Sequence, residues 1–74
     1  MPKLPIISGM KAVKALTKAG FFMDHQTGSH IIMRKEGNKP ITISIPKHKE
    51  MKTGTLRTVI KQSGLTIEEF LKLL

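Results

Sequence analysis

The run Gln26-Thr27-Gly28-Ser29-His30 gathers the residues of this chain best suited to chemistry. It sets a turn dipeptide, Thr27-Gly28, between two strand-like segments and delivers a histidine to the start of the second. Histidine is the side chain whose unperturbed pKa lies between pH 5 and 8, which makes His30 the candidate general acid or base. Gly28 permits a tight bend and a close backbone approach to a ligand. Ser29 and the amides around Gly28 are candidates to steady an anion. Thirteen Lys and Arg against five Asp and Glu give a formal net charge of +8, so the natural target is a polyanion. RNA offers one particular reaction, because its 2′-hydroxyl attacks the neighbouring phosphate once deprotonated, with no metal required. The plain alternative for His30 is a strand histidine that only bonds a backbone group.

The register of the hairpin decides what accompanies His30. With Thr27-Gly28 as a two-residue loop, Gln26 faces Ser29 and His25 faces His30, with Cβ atoms about 4.5–5.5 Å apart. Two histidines so placed would divide acid and base roles, or repel each other when both are charged. With a three-residue loop, Gln26 faces His30 and His25 turns to the other side of the sheet.

A second basic group precedes a helix start. Lys47, Lys49 and Lys52 lie just before Thr53-Gly54-Thr55, where unpaired amides and the helix dipole favour an anion. This is a candidate phosphate clamp, with His48 as a further titrating group in the same loop. Lys11, Lys14 and Lys18 form a stripe on an earlier helix and are candidate RNA-backbone contacts, or simply a solvated face. The three histidines and scattered acids show no metal-ligand spacing, and phosphate-loop and paired-carboxylate motifs are absent.

The elements that must position these residues are legible in outline. Ser8 is a good N-cap for a helix running to Ala19, with Ala12, Val13, Leu16 and Ala19 on its apolar side and Gly20 as its stop. Phe21–Gln26 and Ser29–Lys35 read as strands. Ile41-Thr42-Ile43-Ser44-Ile45 alternates as a half-buried strand should, and Pro46 ends it. Leu56, Val59 and Ile60 mark a helix closing near Ser63-Gly64. Thr66 with Glu69 three residues on predicts a capping box, and Leu65 with Phe70 a hydrophobic staple. The expected fold is α+β: a two-layer sandwich with a three-stranded antiparallel sheet and helices on one face, in the order α-β-β-β-α plus a short C-terminal helix.

Composition sets the remaining bounds. Seventy-four residues predict a single domain over 1–74 without internal repeats. With no cysteine there is no disulfide and no thiolate zinc site. A sequence pI near 10.2 points to nucleic acid or an acidic protein partner. Three Phe with no Tyr or Trp argue against a sheet that reads single-stranded RNA by base stacking. The opening Met1-Pro2-Lys3-Leu4-Pro5 is proline-broken and unlike a signal peptide, so the expected location is the cytoplasm.

Taken in order, Gly20-Phe21, Gly28-Ser29-His30, Ile45-Pro46 with His48, Gly54-Thr55-Leu56-Arg57, and Gly64-Leu65-Thr66 leading to Glu69-Phe70-Leu71 resemble the HicA family of toxins from prokaryotic toxin–antitoxin pairs. The resemblance runs from Ser8 to Leu74. It implies a double-stranded-RNA-binding-like fold and an mRNA-cleaving endoribonuclease neutralised by a HicB-type antitoxin. It also implies that the histidine of Gly-Ser-His, here His30, is catalytic, with no cofactor. One departure stands out: the family often has arginine before the glutamine that opens the hairpin, and here that residue is His25.

Two other readings compete. A non-catalytic RNA-binding module of the same fold would use the basic surfaces and need no titrating histidine. A DNA-binding protein using the last two helices fits less well, because Glu68 and Glu69 sit where contact with DNA needs positive charge.

Overall fold

The structure, a computed structural model, describes residues 3–74, so the first two residues of the opening segment lie outside the described residues. Six elements follow in order: α1 Gly9–Lys18, β1 Phe22–Thr27, β2 His30–Lys35, β3 Ile41–Pro46, α2 Thr53–Ser63 and α3 Ile67–Leu71. The strands form one antiparallel sheet in the order β1-β2-β3.

Local chemistry accounts for the element ends. Ser8 Oγ accepts the Lys11 amide at 3.0 Å and starts α1. α1 closes at Lys18, one residue before the expected Ala19, which becomes its C-cap. At α3 the Glu69 amide donates to Thr66 Oγ1 at 3.1 Å and the Thr66 amide to Glu69 Oε1 at 2.9 Å, so the capping box forms as expected. The Glu69 carboxyl is held below its ordinary value by the Thr66 backbone amide first and the Thr66 hydroxyl second. Leu65 packs half-buried against the core that contains Phe70.

One face of the sheet is the core face. Ile31 and Met33 of β2 and Ile43 and Ile45 of β3 point into it and are buried against Leu16 of α1 and Leu56 and Ile60 of α2. Each such side chain contributes about 1.5–3 kcal/mol when fully buried. The opposite face carries His30, Ile32 and Arg34 from β2 and Thr42 and Ser44 from β3, all exposed or half-buried. The result is the expected two-layer α+β sandwich with its helices on one side. β1 is the exception to clean layering, since all six of its residues are exposed at the sheet edge.

The hairpin corrects both expected registers. Thr27 pairs with His30, Gln26 with Ile31 and His25 with Ile32, so the two-residue loop is Gly28-Ser29 and not Thr27-Gly28. Gly28 adopts φ +49 and Ser29 does not enter the positive region. A positive φ at the first loop position alone is the pattern of a type II′ hairpin turn, which puts glycine first. β1 therefore runs on to Thr27, and β2 begins at His30, not at Ser29. The register breaks between Met23 and His25, leaving Asp24 as the extra residue of a bulge. This lets Met23 face Met33 on the inner side while His25 stays outward.

Candidate active site

His30 stands at the closed end of the β1–β2 hairpin, on the sheet face that no helix covers, and is exposed. Thr27 lies directly across from it on β1 and Pro46 on β3. Its Nδ1 is 3.4 Å from Ser29 Oγ. That contact leaves Nε2 directed to solvent when the hydroxyl partners Nδ1.

The basic loop that follows β3 is tied to this hairpin end. The Lys47 amide donates to the Ser29 carbonyl at 2.7 Å, which brings the loop start beside the residue preceding His30. The His48 carbonyl accepts the Gly9 amide at 2.9 Å, and the Met51 amide donates to the Ile7 carbonyl at 2.8 Å. The loop is thus strapped between the hairpin and the start of α1. Gly9 makes the strap possible, because a Cβ there would overlap the Pro46 carbonyl.

Lys47, Lys49 and Lys52 are exposed along this loop. Lys52 is the N-cap of α2 and its side chain caps no amide, so the first turn of that helix meets solvent without a side-chain cap. His48 is exposed, and the fold uses its carbonyl, not its ring. This basic loop and His30 therefore share one end of the molecule.

The α1 lysines are placed differently. Ala12, Val13 and Leu16 face the sheet, so Lys11, Lys14 and Lys18 point away from it, on the outer surface opposite the His30 face. Lys11 is in the first turn, at the end strapped to the basic loop. Lys18 lies about 10 Å further along the axis at the usual helical rise. Its Nζ donates to the Leu73 carbonyl at 3.1 Å, which engages it in holding the C-terminal turn.

His25 is on the same sheet face as His30, displaced by one diagonal step because its direct partner is Ile32. Its Nδ1 is 2.7 Å from Asp24 Oδ2, and both side chains are about half exposed. Two members of this group escaped the sequence reading. The turn dipeptide Thr27-Gly28 places Thr27 in the loop by sequence, and only the register shows it opposite His30. Asp24 adjoins His25 in the chain, yet nothing in the sequence signals the bulge that holds its carboxylate beside the ring. The described residues gather no group of three or more potential metal ligands. None of their helices is long and apolar enough to cross a membrane.

Comparison with known proteins gives two matches. A family model described as "HicA toxin of bacterial toxin-antitoxin" matches residues 9–65. A chain of a toxin–antitoxin complex from Streptococcus pneumoniae is similar at 38% sequence identity, covering 80% of this chain and 98% of that one with a TM-score of 0.64. No curated protein matches the chain.

Proposed function

This chain belongs to the HicA toxin family of bacterial toxin–antitoxin systems, and from that premise we propose that it is an endoribonuclease that cleaves mRNA with His30 as its catalytic acid–base residue. The observation that carries this reading is the placement of an exposed histidine at a hairpin end that is hydrogen-bonded to a lysine-rich loop. The imidazole exchanges a proton with RNA, and the lysines hold the phosphates on either side. General acid–base transfer of this kind contributes about 10²–10⁴-fold in rate.

In the proposed reaction His30 removes the 2′-hydroxyl proton and the resulting oxygen attacks the adjacent phosphorus. Ser29 and the amides flanking Gly28 stabilise the charge that develops on the phosphate. Lys47, Lys49, Lys52 and Lys11 bind the backbone by charge, so recognition is tolerant of sequence. Lys14 and Lys18, on the outer side of α1, contribute only where RNA wraps around that end. No metal or organic cofactor enters the scheme. The reaction takes place in the cytoplasm, where mRNA is found.

The structural neighbour belongs to a toxin–antitoxin complex, which supports a protein partner for this chain. We assign that role to a HicB-type antitoxin, whose acidic surface would meet the basic loop and cover His30.

The test is induced expression of the wild-type chain and of a folded His30→Ala variant, followed by mRNA integrity. Cleavage and growth arrest with the wild type alone support the reading. If the variant keeps both effects, His30 has no catalytic role. Arrest by both without cleavage would favour a non-catalytic RNA-binding module.

A further inference from the structure

We infer that His25, oriented by Asp24, is a second catalytic residue, the general acid that protonates the leaving oxygen while His30 acts as base. This rests on the ribonuclease reading above and adds the residue that completes its proton balance.

Three observations converge. His25 and His30 share the open face of the sheet, with His25 paired to Ile32 and His30 to Thr27. Diagonal neighbours across a strand pair lie about 7–8 Å apart, with Cβ atoms somewhat closer, against about 4.5–5.5 Å between the Cβ atoms of a directly opposed pair. The wider spacing leaves room for a phosphate between two imidazoles, which a directly opposed pair would lack. An in-line displacement needs this arrangement, because the attacking and leaving oxygens lie on opposite sides of phosphorus.

The second observation is the Asp24 carboxylate, 2.7 Å from His25 Nδ1. A carboxylate can only accept from that nitrogen, which makes Nδ1 the donor and leaves Nε2 to meet substrate. Among the described residues, the His30 ring meets only the Ser29 hydroxyl, at 3.4 Å. The two rings thus differ in their partners, a carboxylate beside one and a hydroxyl beside the other. The bulge that isolates Asp24 is the third observation, since it places carboxylate and imidazole together at an exposed strand edge. The groups facing His25 from β2 are His30 and Arg34, the latter paired with Glu36 at 2.9 Å. β3 adds Thr42 and Ser44 to this face and no charge.

The reaction balances without a co-reactant. His30 accepts the 2′-hydroxyl proton as the O2′–P bond forms. His25 gives its Nε2 proton to O5′ as the P–O5′ bond breaks. The products are a 2′,3′-cyclic phosphate and a 5′-hydroxyl, and water returns the proton from His30 to His25.

The deciding experiment measures single-turnover cleavage of a short RNA against pH by wild type, His25→Ala, His25→Arg, Asp24→Asn and His30→Ala. It is repeated on the same RNA with sulfur replacing the bridging O5′, whose thiolate departs without a proton. We expect a bell-shaped profile for wild type and a loss of about 10²–10⁴-fold in His25→Ala on the oxygen substrate. The acidic limb should remain and the basic limb should vanish. The sulfur substrate should restore His25→Ala and leave His30→Ala inactive. Asp24→Asn should show a smaller loss in the same direction. Wild-type rates in His25→Ala, full activity with an unchanged profile in His25→Arg, or no rescue by sulfur would each overturn the assignment while leaving the ribonuclease reading in place. A wild-type chain that cleaves neither substrate would overturn both.

Discussion

The Lys47 amide and the Ser29 carbonyl, 2.7 Å apart, join the start of the basic loop to the residue that precedes His30. One backbone hydrogen bond thereby couples the chemical group to the binding group. The charge of Lys47 and the tether it makes are separable by substitution. Lys47→Ala removes the charge and keeps the amide, whereas Lys47→Pro removes both. Single-turnover cleavage at saturating RNA should be near wild type in Lys47→Ala and fall at least about tenfold in Lys47→Pro, a difference of about 1.4 kcal/mol in barrier. Equal rates at saturation would mean that the tether does not position the site.

RNA affinity should depend steeply on salt, because the contacts proposed are to phosphates. Each neutralised phosphate on a single strand contributes a slope of about 0.7 in log affinity against log salt. Lys47→Ala or Lys49→Ala should each reduce the slope by about 0.7. Lys18→Ala should change it less, since its ammonium is held at the Leu73 carbonyl, at the end of α1 far from the basic loop. Filter binding at several salt concentrations checks this, and a flat wild-type response would remove the phosphate clamp.

Chelation gives a direct check on the proposed chemistry. Cleavage of a purified RNA should proceed at an unchanged rate in excess EDTA, since both proton transfers belong to side chains. Loss of activity that returns with a divalent cation would contradict the scheme.

Gly9→Ala should destabilise the fold by about 1–3 kcal/mol, the usual range for forcing extra volume into a packed site. The new methyl would meet the Pro46 carbonyl, and backbone, unlike a flexible side chain, cannot turn aside. Urea unfolding measures the change. RNA cleavage by the folded fraction should fall as well, since the same displacement moves Pro46, the neighbour of His30 in the sheet.

The Thr66–Glu69 capping box should make stability depend on acid. Glu69 is held below its ordinary carboxyl value by the Thr66 amide and hydroxyl, so its folded-state pKa is the lower one. The unfolded chain then binds the proton more readily. The stabilisation is present above the ordinary carboxyl range and disappears as pH falls through the depressed folded value. Unfolding midpoints of wild type and Glu69→Ala should differ at neutral pH and draw together once the pH has fallen through the depressed folded value, where the carboxyl is protonated in both states.

What the sequence makes legible is local and periodic. The Thr66–Glu69 box, the Ser8 cap and the alternation Ile41-Thr42-Ile43-Ser44-Ile45 each depend on residues within one turn or one strand, and each forms as expected. The hairpin register does not, because Thr27-Gly28 and Gly28-Ser29 are both acceptable turn dipeptides and the choice rests on which loop position takes positive φ. That one-residue difference turns a directly opposed His25–His30 pair into a diagonal one. The bulge at Asp24 is likewise a product of pairing, since Met23 must face Met33 while His25 remains outward. Lys18 shows the same limit from another side. Its partner is the Leu73 carbonyl, 55 residues away, and no local pattern announces that contact.

His30 bears none of the packing that holds this molecule together, since it projects from a hairpin end on the uncovered face. Under the proposed function, harm and foldedness are therefore inherited separately. A single base change can disarm the chain and still leave a stable protein presenting the same basic loop to an antitoxin. Such a copy would cost its host little and would occupy antitoxin without cutting RNA, acting as a decoy that lowers the threshold at which an active copy is released.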